Sequence, residues 1–242
     1  MYLKFQISST IGSGINVNRL PNLTRPNISD EVYTALKERI LSKQFAPGER
    51  LNLSQLEKQM GISRTPLKDA LNRLALEGLV EIQPRKGTFV VDLTSAEITE
   101  AFDVRRVLEV YAVELAVQRL TEPQLEHMHD LVKALRRLTD IENWDGIYRE
   151  YCSIDHDLHR LIMEIADNRR LKEVWEKNNV HVEMARTRYG ELERERYQTQ
   201  EEHEEILRAF ERRDLATLQQ VICHHIDRAK RSVLQDLKHR KA

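Results

Sequence analysis

PGERLNLSQLEKQMGISRTPLKDALNRLALEGLVEIQPRKGTFV, residues 47–90, is the stretch whose periodicity decides the fold. Ala46-Pro47-Gly48 reads as a turn. Leu53–Glu57 opens a short helix, with Ser54 and Glu57 in the spacing of a capping box. It stops at Met60-Gly61, where glycine suits a left-handed C-cap. A second helix follows at once. Ser63 is its N-cap, and Pro66 sits in the first turn, where a missing N–H costs nothing. Leu67, Ala70, Leu71 and Leu74 form its buried stripe, and Gly78 ends it. Two β-prone runs, Leu79–Gln83 and Thr88–Val91, flank Pro84-Arg85-Lys86-Gly87 and predict a hairpin. Helix, tight turn, helix and hairpin is the order of a winged helix-turn-helix.

Upstream, Val32, Leu36, Ile40 and Leu41 keep helical spacing, with Ser29 as the expected N-cap. Residues 1–24 lack periodicity and predict a flexible tail, leaving 25–92 as the winged domain. Downstream, Thr94-Ser95-Ala96-Glu97 is a further capping box. Beyond it the only proline is Pro123, placed to start a helix, and the only glycines are Gly146 and Gly190. Helical periodicity then continues, so residues 95–240 predict an all-α bundle. The fold class is mainly α, with one small β-hairpin wing.

Composition agrees. The 242 residues are 40% hydrophobic and 32% charged, enough to bury a core. No apolar run approaches the roughly 20 residues of a membrane span, and the opening residues do not read as a signal peptide. A cytoplasmic protein without membrane partners is expected. Cys152 and Cys223 have no motif spacing and read as ordinary helix residues. Net charge is +2 over residues 25–92 and −5 over 93–242, a weak pointer to a local DNA surface at the front.

The second helix of the quoted stretch begins its outer face with Arg64, Thr65 and Lys68. A helix N-terminus in a major groove presents such side chains to base edges and its free N–H groups to phosphate. Arg85 and Lys86, at the hairpin tip, can reach phosphate or the minor groove. Solvated cations on a plain bundle would look similar in periodicity alone. The words themselves go further: Pro47–Val90 resembles the DNA-binding domain of the GntR superfamily nearly position for position. The family's usual Val-Arg-Glu after the proline is Leu67-Lys68-Asp69 here. Lysine cannot make arginine's bidentate fork, so Arg64 is expected to read guanine and Lys68 to read loosely or hold phosphate.

Nine histidines occur, of which His127, His129, His156, His181, His224 and His239 read as surface or packing residues. Asp155 and His159 stand four apart on one helix face. His203 and His225 lie on two consecutive helices whose tight connection makes them antiparallel. One Asp and three His make a reasonable divalent metal set, and equally could be polar residues on amphipathic helices. Three passages carry a resemblance: DVRRVLEVYAVELAVQRLT (103–121), DHDLHRLIMEIADN (155–168) and EHEEILRAFERRDLATLQQVICHHI (202–226). They resemble the FCD ligand-binding domain of the FadR subgroup of GntR regulators.

The resemblance implies that Asp155, His159, His203 and His225 hold a divalent metal, with zinc, nickel and manganese all open. It also implies a small carboxylate or sugar-acid effector beside the metal, with Arg105, at a basic position common in the family's first helix, as a candidate ligand contact. Arg186 or Arg188 could also face the cavity, and each of the three could equally be a surface or ion-pair arginine. Pairing of the helical domains into a homodimer would let two winged domains read a palindromic operator in double-stranded DNA. The expected function is a transcription regulator, more often a repressor, and not an enzyme. A rival reading makes the metal structural or itself the signal. A metal-dependent hydrolase is less favoured, because no motif supplies a dedicated general base.

Overall fold

The computed structural model describes residues 28–189 and 195–241. The expected tail, residues 1–24, and Gly190 lie outside them. The first described helix, α1 (Ile28–Leu41), packs on α3 (Arg64–Leu76), with α2 (Leu53–Met60) between them in sequence. Val32, Leu36 and Ile40 meet Leu67, Ala70, Leu71 and Leu74 in a core from which water is excluded. The wing is a three-stranded antiparallel sheet in the order β1 (Arg50–Leu51), β3 (Gly87–Val90), β2 (Val80–Gln83).

Three details differ from the sequence reading. Ser29 does not cap α1; it lies inside the helix, buried, and its hydroxyl donates to the Pro66 carbonyl. Asn52, not Ser54, caps α2, its Oδ1 accepting from Gln55 N at 3.2 Å. The helix begins directly after β1 ends, so the residue at the joint does the capping. Strand β1 itself has two residues, too short for any alternation to reveal. Ser63 is the N-cap of α3 in backbone geometry, without a side-chain hydrogen bond. Gly61 takes the expected left-handed C-cap, φ 64°.

Thr94 opens α4 (Ser95–Arg119) through the full reciprocal capping box with Glu97. The bundle continues as α5 (Glu122–Thr139), α6 (Trp144–Ile165), α7 (Arg169–Tyr189), α8 (Arg196–Glu211) and α9 (Leu215–Lys241). Pro123 lies in the first turn of α5, as its position predicts. Helix α4 is central and packs on α6, α7 and α9. Helices α8 and α9 run antiparallel across a tight turn, where Asp214 accepts from Thr217 N at 3.1 Å. No helix among the described residues is long and apolar enough to cross a membrane.

Candidate metal centre and nucleic-acid face

Asp155 and His159 project from α6, His203 from α8 and His225 from α9 into one buried point. Each offers a ligand atom, and all four atoms lie within 4.8 Å of one another. The carboxylates behind two of the imidazoles set their state. His159 Nδ1 donates to Glu109 Oε2 at 2.7 Å, and His225 Nδ1 donates to Glu202 Oε2 at 2.9 Å. Burial pushes the Glu109 pKa up, but the charge of Arg105 and the hydrogen bond from His159 outweigh it and hold the group well below the usual carboxylate range. Burial also raises Glu202, yet hydrogen bonds from His225 and Arg228 hold it at about 2. Both carboxylates are therefore ionised and can only accept.

That fixes the other ring nitrogens. With Nδ1 carrying the proton, a neutral imidazole presents a lone pair at Nε2. The Nε2 atoms of His159 and His225 face each other at 3.2 Å. Burial pushes His225 down to about 3 and lowers His203, so added protons are disfavoured there. His203 Nε2 lies 3.2 Å from Asp155 Oδ1, yet neither atom makes a hydrogen bond among the described residues. A divalent cation fits this donor set. It would satisfy the facing lone pairs and the unpartnered carboxylate oxygen together.

The second side of Asp155 is held by Arg186, which donates to Oδ2, and this charge keeps the Asp155 pKa well below its ordinary value despite burial. Arg105 donates to Glu109 Oε1 at 2.7 Å and Trp175 Nε1 donates to the same oxygen at 2.8 Å. Arg105, Cys152, His156, Asn179, Glu183 and Arg186 line a cavity of about 10 Å³ against the cluster. That is room for roughly one water. Arg188 is placed elsewhere: it donates to the Val91 carbonyl, at the junction with the wing. As a ligand contact it is corrected, because two residues along a helix turn a side chain through about 200°. Arg105 and Arg186 do face the cavity.

Glu109, Glu202, Trp175 and His156 were missed as members of the site. His156 stacks on Trp175 with centroids 5.3 Å apart and meets Asn179 Nδ2 at 2.8 Å. Glu109 had one available signal, its spacing of four from Arg105.

On the winged region, Thr65, Lys68, Arg85 and Lys86 are all exposed. Arg64 is 59% exposed at the start of α3, 3.2 Å from Glu57. Arg85 takes a left-handed φ of 65° at the hairpin tip. Arg50, which sequence reading passed over, lies across Gly87 and shares an open groove with Arg64, Asn52 and Ser54.

A winged helix-turn-helix carrying exposed cations on α3, joined to a bundle around a buried Asp/His3 cluster, defines a two-domain regulator architecture. The model for bacterial regulatory proteins of the gntR family matches residues 28–90, and that for the FCD domain matches residues 100–228. The chain belongs to the GntR family of regulators with an FCD domain. It is similar to the HTH-type transcriptional regulator YdhC of Bacillus subtilis, 31% identical over 62% of this chain. That match spans 65% of YdhC, a little under two thirds of its length. The HTH-type transcriptional repressor RspR of Escherichia coli is 24% identical over 88% of this chain and 92% of its own. The structure of E. coli McbR/YncC superposes with a TM-score of 0.72 at 21% identity, covering 87% of this chain and 98% of that one. The last likeness concerns the fold.

Proposed function

We infer that this protein is a sequence-specific DNA-binding transcription regulator whose helical domain holds a divalent metal and senses a small carboxylate or sugar acid. One observation carries the sensor half: two buried imidazole nitrogens face each other at 3.2 Å with both partner nitrogens already committed to carboxylates. Asp155, His159, His203 and His225 would hold the metal, which when bound supplies a Lewis-acidic anchor for an oxygen ligand. Arg105 and Arg186 orient an anion beside it, since guanidinium groups match carboxylate geometry. A cavity of about 10 Å³ means that such an effector enters by opening its wall.

The DNA half rests on Arg64, Thr65 and Lys68 at the exposed N-terminus of α3, with Arg85 and Lys86 on the wing. Arg50 joins them by its position in the groove beside Arg64. An exposed apolar stripe on α4, Val104, Val107 and Tyr111, suits pairing with a second copy, which would place two winged domains on a palindrome. Repression in the cytoplasm, relieved by the effector, is the working sense.

The test selects duplexes from a random library with the metal-loaded protein. Affinity for the enriched duplex is then measured against a panel of carboxylates and sugar acids. A palindrome that is lost with Arg64→Ala, and an affinity shift from at least one acid that is lost with Asp155→Ala/His203→Ala, are expected. No enriched duplex sinks the DNA reading; enrichment without any acid effect sinks the sensor reading.

A further inference from the structure

Helix α7 touches both the Asp155 cluster and the wing connection through three residues of its last turn. Arg186 donates to Asp155 Oδ2 in the cluster. Arg188 donates to the Val91 carbonyl, and Tyr189 Oη donates to Asp92 Oδ1 at 2.7 Å. Val91 and Asp92 form the connection between the wing and α4, and the Val91 amide itself donates back to Leu79 at the start of the wing. The same helix makes further contacts at this junction. A side chain at Gly78 would collide with the His181 ring, and Asn178 Nδ2 donates to the Ala101 carbonyl at 2.9 Å.

Three features make this a link rather than a set of separate contacts. The three residues lie within about 4.5 Å along the axis, at 1.5 Å per residue, so they move together. Arg186 and Arg188 point to different sides, one inward and one to the wing connection. Arg188 is 2% exposed, yet its Nε and Nη2 make no hydrogen bond among the described residues. A buried cation holding the connection through one carbonyl has other donors ready for an alternative arrangement. The cavity wall points the same way. Trp175, Asn179, Val182, Glu183 and Arg186, half of the cavity lining, come from α7 and the rest from α4 and α6, so α7 is one of the walls that an occupant larger than water presses on.

We propose that the last turn of α7 couples occupancy of the Asp155 cluster to the connection at Val91–Asp92. A cation at the cluster engages Asp155 and weakens its hold on Arg186. The turn shifts, and Arg188 and Tyr189 change their grip on the wing connection, biasing where the winged domain sits. This rests on the metal reading given above, and deepens it by naming the residues that carry the signal.

The experiment is amide hydrogen exchange on the full chain, with and without Zn²⁺ alone, for wild type, Arg188→Lys and Tyr189→Phe. Zinc affinity of each is measured by calorimetry. In the wild type, zinc changes exchange over residues 91–93 by threefold or more. In Tyr189→Phe and Arg188→Lys that change falls below 1.5-fold, while zinc affinity stays within twofold of wild type. Zinc binding to wild type without any change at 91–93 overturns the coupling and leaves the metal reading intact. Equal changes in wild type and both variants overturn it as well. Absence of zinc binding to the wild type overturns the metal reading and the coupling with it.

Discussion

The winged region and the helical bundle place their polar residues in opposite ways. Around α3 the core is apolar, and among the described residues of this region only Ser29 and Thr88 are buried and polar. Its candidate DNA contacts stand outside, where a substitution costs the fold little. In the bundle a charged and polar network lies inside the apolar core: Arg105, Glu109, Asp155, His159, Arg186, Glu202, His203, His225 and Arg228 are all buried. Each buried charge carries a desolvation cost of several kcal/mol unless paired and hydrogen-bonded. A bundle of this size could have been filled with leucine. A retained ionic network is therefore where function is to be sought, whereas on the winged region the candidate contacts sit on the surface, where they bear little on stability.

The largest expected effect on stability comes from Glu109→Ala. It removes the acceptor shared by Arg105, Trp175 and His159. Breaking such a buried pair from one side costs about 3–5 kcal/mol. Urea unfolding in chelator checks it, and a loss under about 1 kcal/mol would erase the contrast between the two regions.

Zinc comes next. Bound at 100 times its dissociation constant, it should stabilise the wild type by about 2.7 kcal/mol. His159→Ala should abolish the gain, measured as a shift in urea midpoint. A zinc effect that persists in His159→Ala would move the metal elsewhere.

In the metal-free protein, pH should act through the same buried histidines. His225 is pushed down to about 3 by burial, against an ordinary value near 6.5. Between those values the unfolded chain binds the proton and the folded chain does not. Stability is then full above about pH 6.5 and falls as pH drops below it, by on the order of 2 kcal/mol at pH 5. Chemical unfolding across that range measures it; a flat profile would mean that His225 is not buried neutral.

Arg64→Ala should barely touch the fold, under about 0.5 kcal/mol by thermal unfolding. Its effect on the selected duplex should still be roughly tenfold or more, from a lost guanine contact of about 1–3 kcal/mol. A change in stability as large as the change in DNA affinity would undo the comparison from the other side.

Much of the architecture was legible because it is local. The helix-turn-helix order, the wing, the Thr94–Glu97 box and the Pro123 helix start all follow from residues within a few positions of each other. Local reading failed at the start of α2, where Asn52 rather than Ser54 caps the helix, and where an element was as short as β1. The Asp155–His159 pair was visible in spacing; its union with His203 and His225 was one of two open readings until the resemblance favoured it, since those residues lie on other helices. Glu202 stands next to His203 in sequence, yet serves His225 on another helix, which no periodicity could disclose.

The sequence alone determined which elements form, in what order, and which residue types are available for DNA and metal, because backbone propensity and hydrophobic period act over one or two turns. Only the tertiary structure decided which way Arg186 and Arg188 point, and that two imidazole nitrogens meet 3.2 Å apart. It also decided that Glu109 and Glu202 fix the proton on the far side of each ring. Those outcomes depend on how α4, α6, α7, α8 and α9 pack, and packing sets side-chain direction and charge state through neighbours far away in the chain.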